Sequence, residues 1–263
     1  LPLMQGGLGN QLFIYFAAEG LRKKFPTTEV FYDFSIYSFG DKFGRRPELL
    51  RLFPEVQQVP FSLLGLRPRR AVHQILRVNN LLIEEKKYNE YMPVVLNERL
   101  PQILIGFFQH PNYFADDRQE IKELMFDSYC RAIGEPPQGA QSSVAVHLRS
   151  YEEVDYAPIN TVRASREYYV DALDKYAVKG QPVTVYTDSR SYAEEVLRGV
   201  DFKVSERVDP LLALFEMSRY ETLICSNSSF SWWAAFISDA KVIYPKDSSL
   251  VHYPAPMEDW LLI

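Results

Sequence analysis

Residues 144–149 read Val-Ala-Val-His-Leu-Arg, and this stretch decides the fold. Apolar side chains at 144, 146 and 148 alternate with the positions between them, which is the period of a β-strand. Four more strand-like segments follow, and a helical pattern lies between successive strands. The predicted strands are 142–148, 182–187, 202–204, 222–225 and 241–244, and the predicted helices are 165–178, 191–198, 211–217 and 229–237. This alternation predicts a doubly wound α/β domain with a parallel sheet.

The amino-terminal half predicts a second α/β domain, with a less regular pattern. Its predicted strands are 1–5, 30–33 and 102–107, and its predicted helices are 12–24, which follows the loop 6–11, then 70–78 and 115–132. The last helix places Ile121, Leu124, Met125 and Ser128 on one face. Residues 134–143 are rich in Pro, Gly and Ser and predict a linker. We therefore predict two Rossmann-like α/β domains, residues 1–138 and 139–263.

The composition excludes several classes of protein. Of the 263 residues, 47% are hydrophobic, which provides a sizeable core and excludes intrinsic disorder. Lys and Arg number 29 against 34 Asp and Glu, so the formal net charge of −5 is unlike that of a nucleic-acid-binding protein. The aromatic share of 14% is high and predicts either an aromatic core or a site that stacks a base or a sugar.

Cysteines and apolar runs set the expected location. Cys130 and Cys225 are too few for a disulfide scaffold and predict buried free thiols in a reducing compartment. No apolar run approaches the ~20 residues that span a bilayer, so we expect no integral membrane segment. Residues 1–5 lack the features of a signal peptide and read as a first strand. We expect a cytoplasmic protein, with membrane association left open.

Polar residues collect where the predicted strands end, which is where open α/β sheets bind ligands. The candidates are Gly7, Gly9 and Asn10 after the first strand, then His147 and Arg149, then Thr187 and Asp188, and then Ser226, Asn227, Ser228, Ser229 and Phe230. An arginine at a buried strand end needs an anion, and the N–H groups that open a helix bind phosphate. The sequence therefore predicts an anion site at this edge.

Each candidate also has a structural alternative. The Gly-rich loop can be a tight turn, and residues 226–229 can cap a helix. Arg149 can form an internal salt bridge, and His147 can be a satisfied core histidine. Of Trp232 and Trp233, at least one is expected in the core.

Several well-known motifs are absent from the sequence, which argues against the kinds of site that they mark. Leu12 stands where a dinucleotide fingerprint needs its third glycine, and no Gly-Lys-Ser/Thr follows the loop. The sequence contains no Asp-x-Asp, His-Glu-x-x-His, Cys-x-x-Cys or Gly-x-Ser-x-Gly. We therefore expect a site for an anionic ligand that uses no metal and no cofactor.

Four motifs together resemble the alpha-1,2-fucosyltransferase family, glycosyltransferase family 11. They are residues 4–13, with Gly-Gly-Leu-Gly-Asn-Gln-Leu-Phe, residues 106–109 followed by Tyr113-Phe, residues 144–149, and residues 226–235. The resemblance covers nearly the whole chain, and the two end motifs are long and specific. It implies a GT-B-like glycosyltransferase, similar to soluble bacterial members, that moves fucose from GDP-fucose to a galactose-containing oligosaccharide. The implied linkage is alpha-1,2, formed with inversion and without a metal.

The resemblance implies roles for the candidates, and one departure bears on them. The family pattern resembles His-x-Arg-Arg-Gly-Asp-Tyr, but here Ser150 replaces the second Arg and the Asp falls on Glu152. We expect Arg149 to clamp the diphosphate with Asn10, the Gly7–Gly9 backbone and the helix that opens at Ser229. His147 is expected at base or ribose, and Asp188 at guanine.

Alternatives remain for the identity of the general base and for the function of the protein. Glu152 is the first choice for the base, with Glu153 and Asp155 nearby, and a site that works by positioning stays open. Residues 1–138 are expected on the acceptor side and residues 139–263 around the nucleotide sugar. Because of Ser150, another donor or acceptor is the first functional alternative, and a non-catalytic nucleotide- or glycan-binding protein is the second.

Overall fold

The structure, a computed structural model, forms two compact units, Leu1–Asp117 and Arg118–Ile263. It describes residues 1–38, 44–59, 77–79, 81–87, 89–97, 99–137, 143–152, 162–177, 180–247, 249–250 and 253–263. Most of the helix predicted over 70–78 lies outside these residues, as do Glu153, Asp155 and half of the predicted linker.

The first unit contains short parallel strands joined by isolated bridges. Strand β1 (Leu82–Glu84) pairs with β2 (Ile103–Ile105). Parallel bridges then join Pro2 to Leu104, Leu3 to Asp33, and Tyr32 to Gln58. The helices are α1 (Leu8–Lys24), α2 (Ser35–Ser38) and α3 (Leu49–Leu52). The predicted strands at 1–5, 30–33 and 102–107 therefore form parallel pairs, over shorter lengths than predicted, while β1 was not predicted.

Aromatic rings build the core of this unit. Tyr15 stacks on Phe53 with 4.7 Å between ring centroids, and Phe16 lies edge-on to Phe53 at 6.0 Å. Helix α1 approaches the 3₁₀ turn Pro111–Tyr113 so closely that a Cβ on Gly20 would lie 2.2 Å from the carbonyl oxygen of Tyr113. Much of the aromatic excess is therefore packing mass.

The second unit is built on a six-stranded parallel sheet. Its strands are β3 (Val144–Leu148), β4 (Val183–Thr187), β5 (Lys203–Val204), β6 (Thr222–Ile224), β7 (Lys241–Tyr244) and β8 (Leu261–Leu262). They lie in the order β5-β4-β3-β6-β7-β8, so the direction of strand addition reverses between β3 and β6. This is the doubly wound order, and it confirms the predicted α/β class.

The helices of the second unit match the prediction closely. They are α4 (Arg118–Ile133), α5 (Arg166–Tyr176), α6 (Arg190–Val196), α7 (Pro210–Met217) and α8 (Ser229–Phe236). Both Trp232 and Trp233 are fully buried. The Trp232 ring stacks on Phe236 at 5.0 Å, and its Nε1–H donates to the Ala255 carbonyl at 2.8 Å. Within the described residues, no helix combines the length and the apolar character needed to cross a membrane.

Helix α4 belongs to the second unit, so the boundary lies earlier than the one predicted at 138/139. Arg118 donates to the Phe236 carbonyl at 3.0 Å and to Asp259 at 2.8 Å. Of the predicted helix face, Leu124 is 39% exposed, and Tyr129 is buried instead. Both sets of positions fit a helical period, so the buried face is rotated about the helix axis from the predicted one, toward Tyr129 and away from Leu124.

Asp209 offers a test of local stability. Its carboxylate accepts the N–H groups of Leu211 and Leu212 at 2.9 and 3.1 Å, ahead of Pro210 at the first helical position. We expect Asp209→Ala to lower the free energy of unfolding by about 1 kcal/mol, because a lost N-cap costs roughly 0.5–2 kcal/mol. Urea denaturation measures this loss. Asp209→Asn keeps the acceptor and should lose less, so equal losses would contradict the capping role.

Candidate functional site

The carboxyl ends of β3 and β6 meet where the strand order reverses, and His147 and Ser226 lie at this point. The Nδ1 atom of His147 lies 2.8 Å from Ser226 Oγ. Both side chains are buried, and the Phe230 ring lies 5.5 Å from the imidazole. Such reversal points are where open α/β sheets bind ligands, so the predicted convergence of these residues is observed.

His147 is neutral at pH 7. Burial lowers the pKa of its imidazole to about 4, because desolvation disfavours the imidazolium. The Asp188 carboxylate raises that pKa to a smaller extent, and the Arg149 guanidinium lowers it further. The ring therefore contributes hydrogen bonds and no charge to the site.

Arg149 forms an ion pair with Asp188 that joins the ends of β3 and β4. The other oxygen of this carboxylate accepts the Ser150 N–H at 2.8 Å. The guanidinium carbon lies 5.5 Å from the centroid of the Tyr151 ring. The side chains of Arg149 and Asp188 are 27% and 25% exposed. The salt-bridge alternative for Arg149 is therefore observed, and it leaves the guanidinium reachable from solvent.

Tyr151 is not among the site residues that the sequence predicts. It has a φ of 52°, in the left-handed region that costs a non-glycine residue about 1–3 kcal/mol. Its hydroxyl donates to the Asn227 carbonyl at 3.4 Å, and its ring lies beneath Arg149. Strain of this kind is common at functional sites, and no pattern in the sequence marks it. Glu152 follows and is exposed, with its N–H 3.5 Å from Ser150 Oγ.

The polar run after β6 serves mainly to build the loop and the helix that follow. Asn227 is fully buried, donates to the Val162 carbonyl at 2.7 Å and accepts the Ala164 N–H at 3.3 Å. Ser228 caps α8 by accepting the Phe230 N–H at 3.2 Å. The capping alternative is therefore observed. These side chains bond within the protein, so the N-terminus of α8 at Ser229 is the feature of this run that we expect a ligand to contact.

Thr187 is likewise engaged locally. Its hydroxyl donates to the Ser189 carbonyl at 3.0 Å and accepts the Ser189 N–H at 3.1 Å, where α6 begins. It shapes the turn beside Asp188. In the described part of the chain, no group of three or more His, Cys, Asp or Glu is arranged to hold a metal ion.

The Gly-rich loop lies in the first unit. Gly7 caps α1 in an extended conformation, and Gly9 is buried in the first turn. Gly6 has a φ of +77°, and a Cβ there would lie 2.4 Å from Asn10 Nδ2. Glycine is thus required at position 6 both for its backbone and for its size. Asn10 Oδ1 accepts a hydrogen bond from Gln109 Nε2 at 2.8 Å.

Two comparisons of the sequence with known proteins both match glycosyltransferases. A sequence model for glycosyl transferase family 11 matches residues 67–252. An alpha-1,2-colitosyltransferase of Escherichia coli is 24% identical over 147 residues, which are 51% of this chain and 51% of that protein. The matched part thus spans about half the length of that curated relative.

Three solved structures are similar to the chain, each with a TM-score below 0.5. The E. coli heptosyltransferase WaaC with ADP has a TM-score of 0.43 at 12% identity, covering 99% of this chain and 91% of that one. E. coli ADP-heptose lps heptosyltransferase II has a TM-score of 0.48 at 10% identity, with coverage of 100% and 89%. A family 9 glycosyl transferase from Veillonella parvula has a TM-score of 0.47 at 11% identity, with coverage of 100% and 84%.

The buried imidazole of His147 makes the stability of the second unit depend on pH. An unfolded histidine has a pKa near 6.5, whereas that of His147 is about 4. The unfolded chain therefore binds the proton first, and stability present above pH 6.5 is lost as the pH falls toward 4, by about 2–3 kcal/mol at pH 4.5.

We expect His147→Asn to lose less stability than the wild type between pH 7 and pH 4.5. Urea denaturation at both values measures this. Taking the difference between the two proteins cancels the contributions of the other titrating groups. Parallel pH dependences would contradict the burial of a neutral imidazole.

Proposed function

Because the chain belongs to glycosyl transferase family 11, we propose that it transfers fucose from GDP-fucose to a hydroxyl of a galactose-containing oligosaccharide. The proposed linkage is alpha-1,2, formed with inversion and without a metal or other cofactor. The observation that carries the proposal is that Arg149 and neutral His147, at the end of β3, and the N-terminus of α8, which follows β6, lie at the carboxyl ends of two adjacent strands of a family 11 chain.

Arg149 and backbone N–H groups stabilise the negative charge of the leaving diphosphate. Arginine binds phosphate bidentately, and the ion pair with Asp188 holds the guanidinium at the rim before the donor arrives. The first N–H groups of α8 add the positive end of a helix dipole. Preorganised donors of this kind stabilise developing charge at no further cost in reorganisation.

In this proposal the Asp188 carboxylate binds Arg149, and a contact with guanine is secondary. Both of its oxygens are used, one by Arg149 and one by the Ser150 N–H. A guanine contact would have to compete with these bonds. His147 has Nδ1 on Ser226, so Nε2 is the nitrogen left for the base or the ribose.

Metal independence is supported by the sequence and by this charge arrangement. No Asp-x-Asp pair, which many nucleotide-sugar enzymes use to bind a divalent cation, occurs in the chain. In our proposal the second unit binds the donor and the first unit the acceptor. The free thiols of Cys130 and Cys225 support a cytoplasmic location, with membrane association open.

Colitosyl transfer is the second candidate function. The E. coli relative is an alpha-1,2-colitosyltransferase, and Ser150 replaces a cation of the family pattern. Colitose is a deoxy analogue of fucose, so one site can discriminate between them only through the missing hydroxyl.

The test offers the purified protein GDP-fucose or GDP-colitose with a panel of galactosides. Chromatography and mass spectrometry detect the product, and linkage analysis identifies the bond. We expect fucosyl transfer that EDTA leaves unchanged. Transfer from GDP-colitose alone would favour the second candidate. Donor binding by calorimetry without any transfer would favour a non-catalytic member.

Arg149 is the first residue to vary. We expect Arg149→Ala to lower kcat/KM for GDP-fucose by about 10²–10³, the loss typical of one preorganised donor to developing charge. Arg149→Lys should restore only part of this, because lysine lacks the planar fork. Arg190→Ala removes an exposed arginine that pairs with Glu194 and should be neutral. Near-normal turnover in Arg149→Ala would overturn the clamp.

Glu152 is tested as the general base. If it removes the acceptor proton, Glu152→Gln should lower kcat by about 10²–10⁴ with a smaller change in KM. Glu194→Gln, an exposed glutamate of α6, is the matched control. A loss below ~10-fold would remove Glu152 from this role and favour a site that works by positioning.

A further inference from the structure

The charges already described at the carboxyl edge of the second unit do not balance those of the proposed donor. Each phosphate of a nucleoside diphosphate sugar carries a negative charge. Arg149 brings one positive charge, which the Asp188 carboxylate offsets, and His147 is neutral. Ser150 stands where the family pattern has a second arginine. A site that binds a diphosphate without a metal therefore needs a further cation from this unit.

Arg163 lies in the loop that leads into α5, and Asn227 fixes the backbone on both sides of it. The buried Asn227 carboxamide donates to the Val162 carbonyl at 2.7 Å and accepts the Ala164 N–H at 3.3 Å. Asn227 itself stands directly before the cap of α8, which begins at Ser229. The peptide groups that flank Arg163 therefore lie against the segment that opens α8.

The Arg163 side chain extends from this loop to α6, the helix that follows β4. Its guanidinium carbon lies 4.4 Å from the centroid of the Tyr192 ring, which is within the range of a cation–π contact. Burial raises the pKa of the Tyr192 phenol, the Arg163 guanidinium opposes that rise, and the Asp188 carboxylate adds to it. The Arg163 and Asp188 charges thus both lie near one ring.

The two arginines are supported by tyrosines that lie close together. Arg149 lies 5.5 Å from the centroid of the Tyr151 ring, whereas Arg163 lies over Tyr192. Burial raises the pKa of the Tyr169 phenol well above its usual range, and the neighbouring Tyr192 and Tyr151 groups raise it further. Both supporting tyrosines therefore lie near one buried residue of α5, at the carboxyl edge of the same sheet.

Arg163 differs from Arg149 in the balance of its charge. Arg149 pairs with Asp188, but among the residues that the structure describes no carboxylate pairs with Arg163. The Arg163 side chain is half-buried and borders a cavity of about 460 Å³. A cation that is partly withdrawn from water and has no acidic partner favours the binding of an anion.

We propose that Arg163 is a second donor-binding arginine, which supplies the positive charge that the Arg149–Asp188 pair lacks at the diphosphate. The proposal rests on the proposed function, because a nucleotide sugar is the anion expected at this edge. Asn227 fixes the backbone and the Tyr192 ring supports the guanidinium, so little conformational freedom is lost when phosphate binds. The edge of the guanidinium can bind phosphate oxygens while its flat face stays on the ring.

Ligands with and without phosphate test this role. Calorimetry measures Kd for GDP and for inorganic pyrophosphate, and saturation-transfer NMR measures Kd for guanosine. We expect Arg163→Ala to weaken GDP and pyrophosphate binding by about 10–100-fold, the value of a hydrogen bond to a charged group. Guanosine binding should not change. Unchanged affinity for GDP and pyrophosphate, or an equal loss for guanosine, would overturn the proposal.

Matched variants separate the charge from general damage. Arg163→Gln keeps a planar polar group and loses the charge, so it should bind GDP no better than Arg163→Ala. Arg163→Lys should restore part of the affinity, because lysine keeps the charge without the planar fork. Arg166→Ala removes an exposed arginine of the first turn of α5 and should change nothing. Thermal unfolding shows whether each variant is folded, and full GDP affinity in Arg163→Gln would contradict a role for the charge.

The support by Tyr192 is tested separately. Tyr192→Phe keeps the ring and should keep most of the GDP affinity, whereas Tyr192→Leu removes the aromatic face and should lose several-fold. Combined with Arg163→Ala, Tyr192→Leu should cost little more, because both changes act through one guanidinium. Losses that multiply would show that the ring does not act through Arg163.

Pyrophosphate also separates failure of this inference from failure of the proposed function. If the wild type transfers a sugar from another nucleotide and not from GDP-fucose, the proposed donor is wrong. A loss of pyrophosphate affinity in Arg163→Ala would then still support the second arginine. If the wild type transfers fucose and Arg163→Ala keeps its affinity for pyrophosphate and GDP, the proposed function stands and the role of Arg163 is overturned.

Discussion

The second unit depends on the burial of β3 on both faces at the centre of a parallel sheet. Because every side chain of the strand is covered, polar groups can appear only at its end, where they must find partners. His147 bonds Ser226 across the strand reversal, and Arg149 pairs with Asp188 on the other side. The carboxyl edge of the sheet is therefore lined by polar groups that already have partners within the second unit.

In both units the polar groups at the strand ends must find partners, and the backbone of each unit achieves this in a different way. In the second unit, a left-handed residue at Tyr151 redirects the chain directly after β3. In the first unit, Glu85 gathers the N–H groups of a loop that contains left-handed Phe108. Both strained residues follow parallel strands, Phe108 after β2 and Tyr151 after β3. Strain is tolerated there because buried hydrogen bonds over-determine the backbone.

Local signals in the sequence predicted most elements of the second unit. Alternation predicted β3, and the Asp209–Pro210 start predicted α7, because such patterns act within a few residues. The placement of α4 in the second unit could not be predicted this way, because it depends on contacts with residues more than 100 positions away. For the same reason, Leu124 was expected in a face that Tyr129 occupies.

The sequence by itself determined the α/β class, the family and the residues that stand at the strand ends, because periodicity and motifs are properties of neighbours along the chain. Only the tertiary structure decided the partners: Asp188 serves Arg149, Asn227 braces a loop, and Gln109 reaches Asn10. The hydrogen bond between Gln109 and Asn10 spans 99 positions. No local pattern encodes such a pairing, because it forms only when packing brings two strand ends to one edge and burial obliges their polar groups to bond.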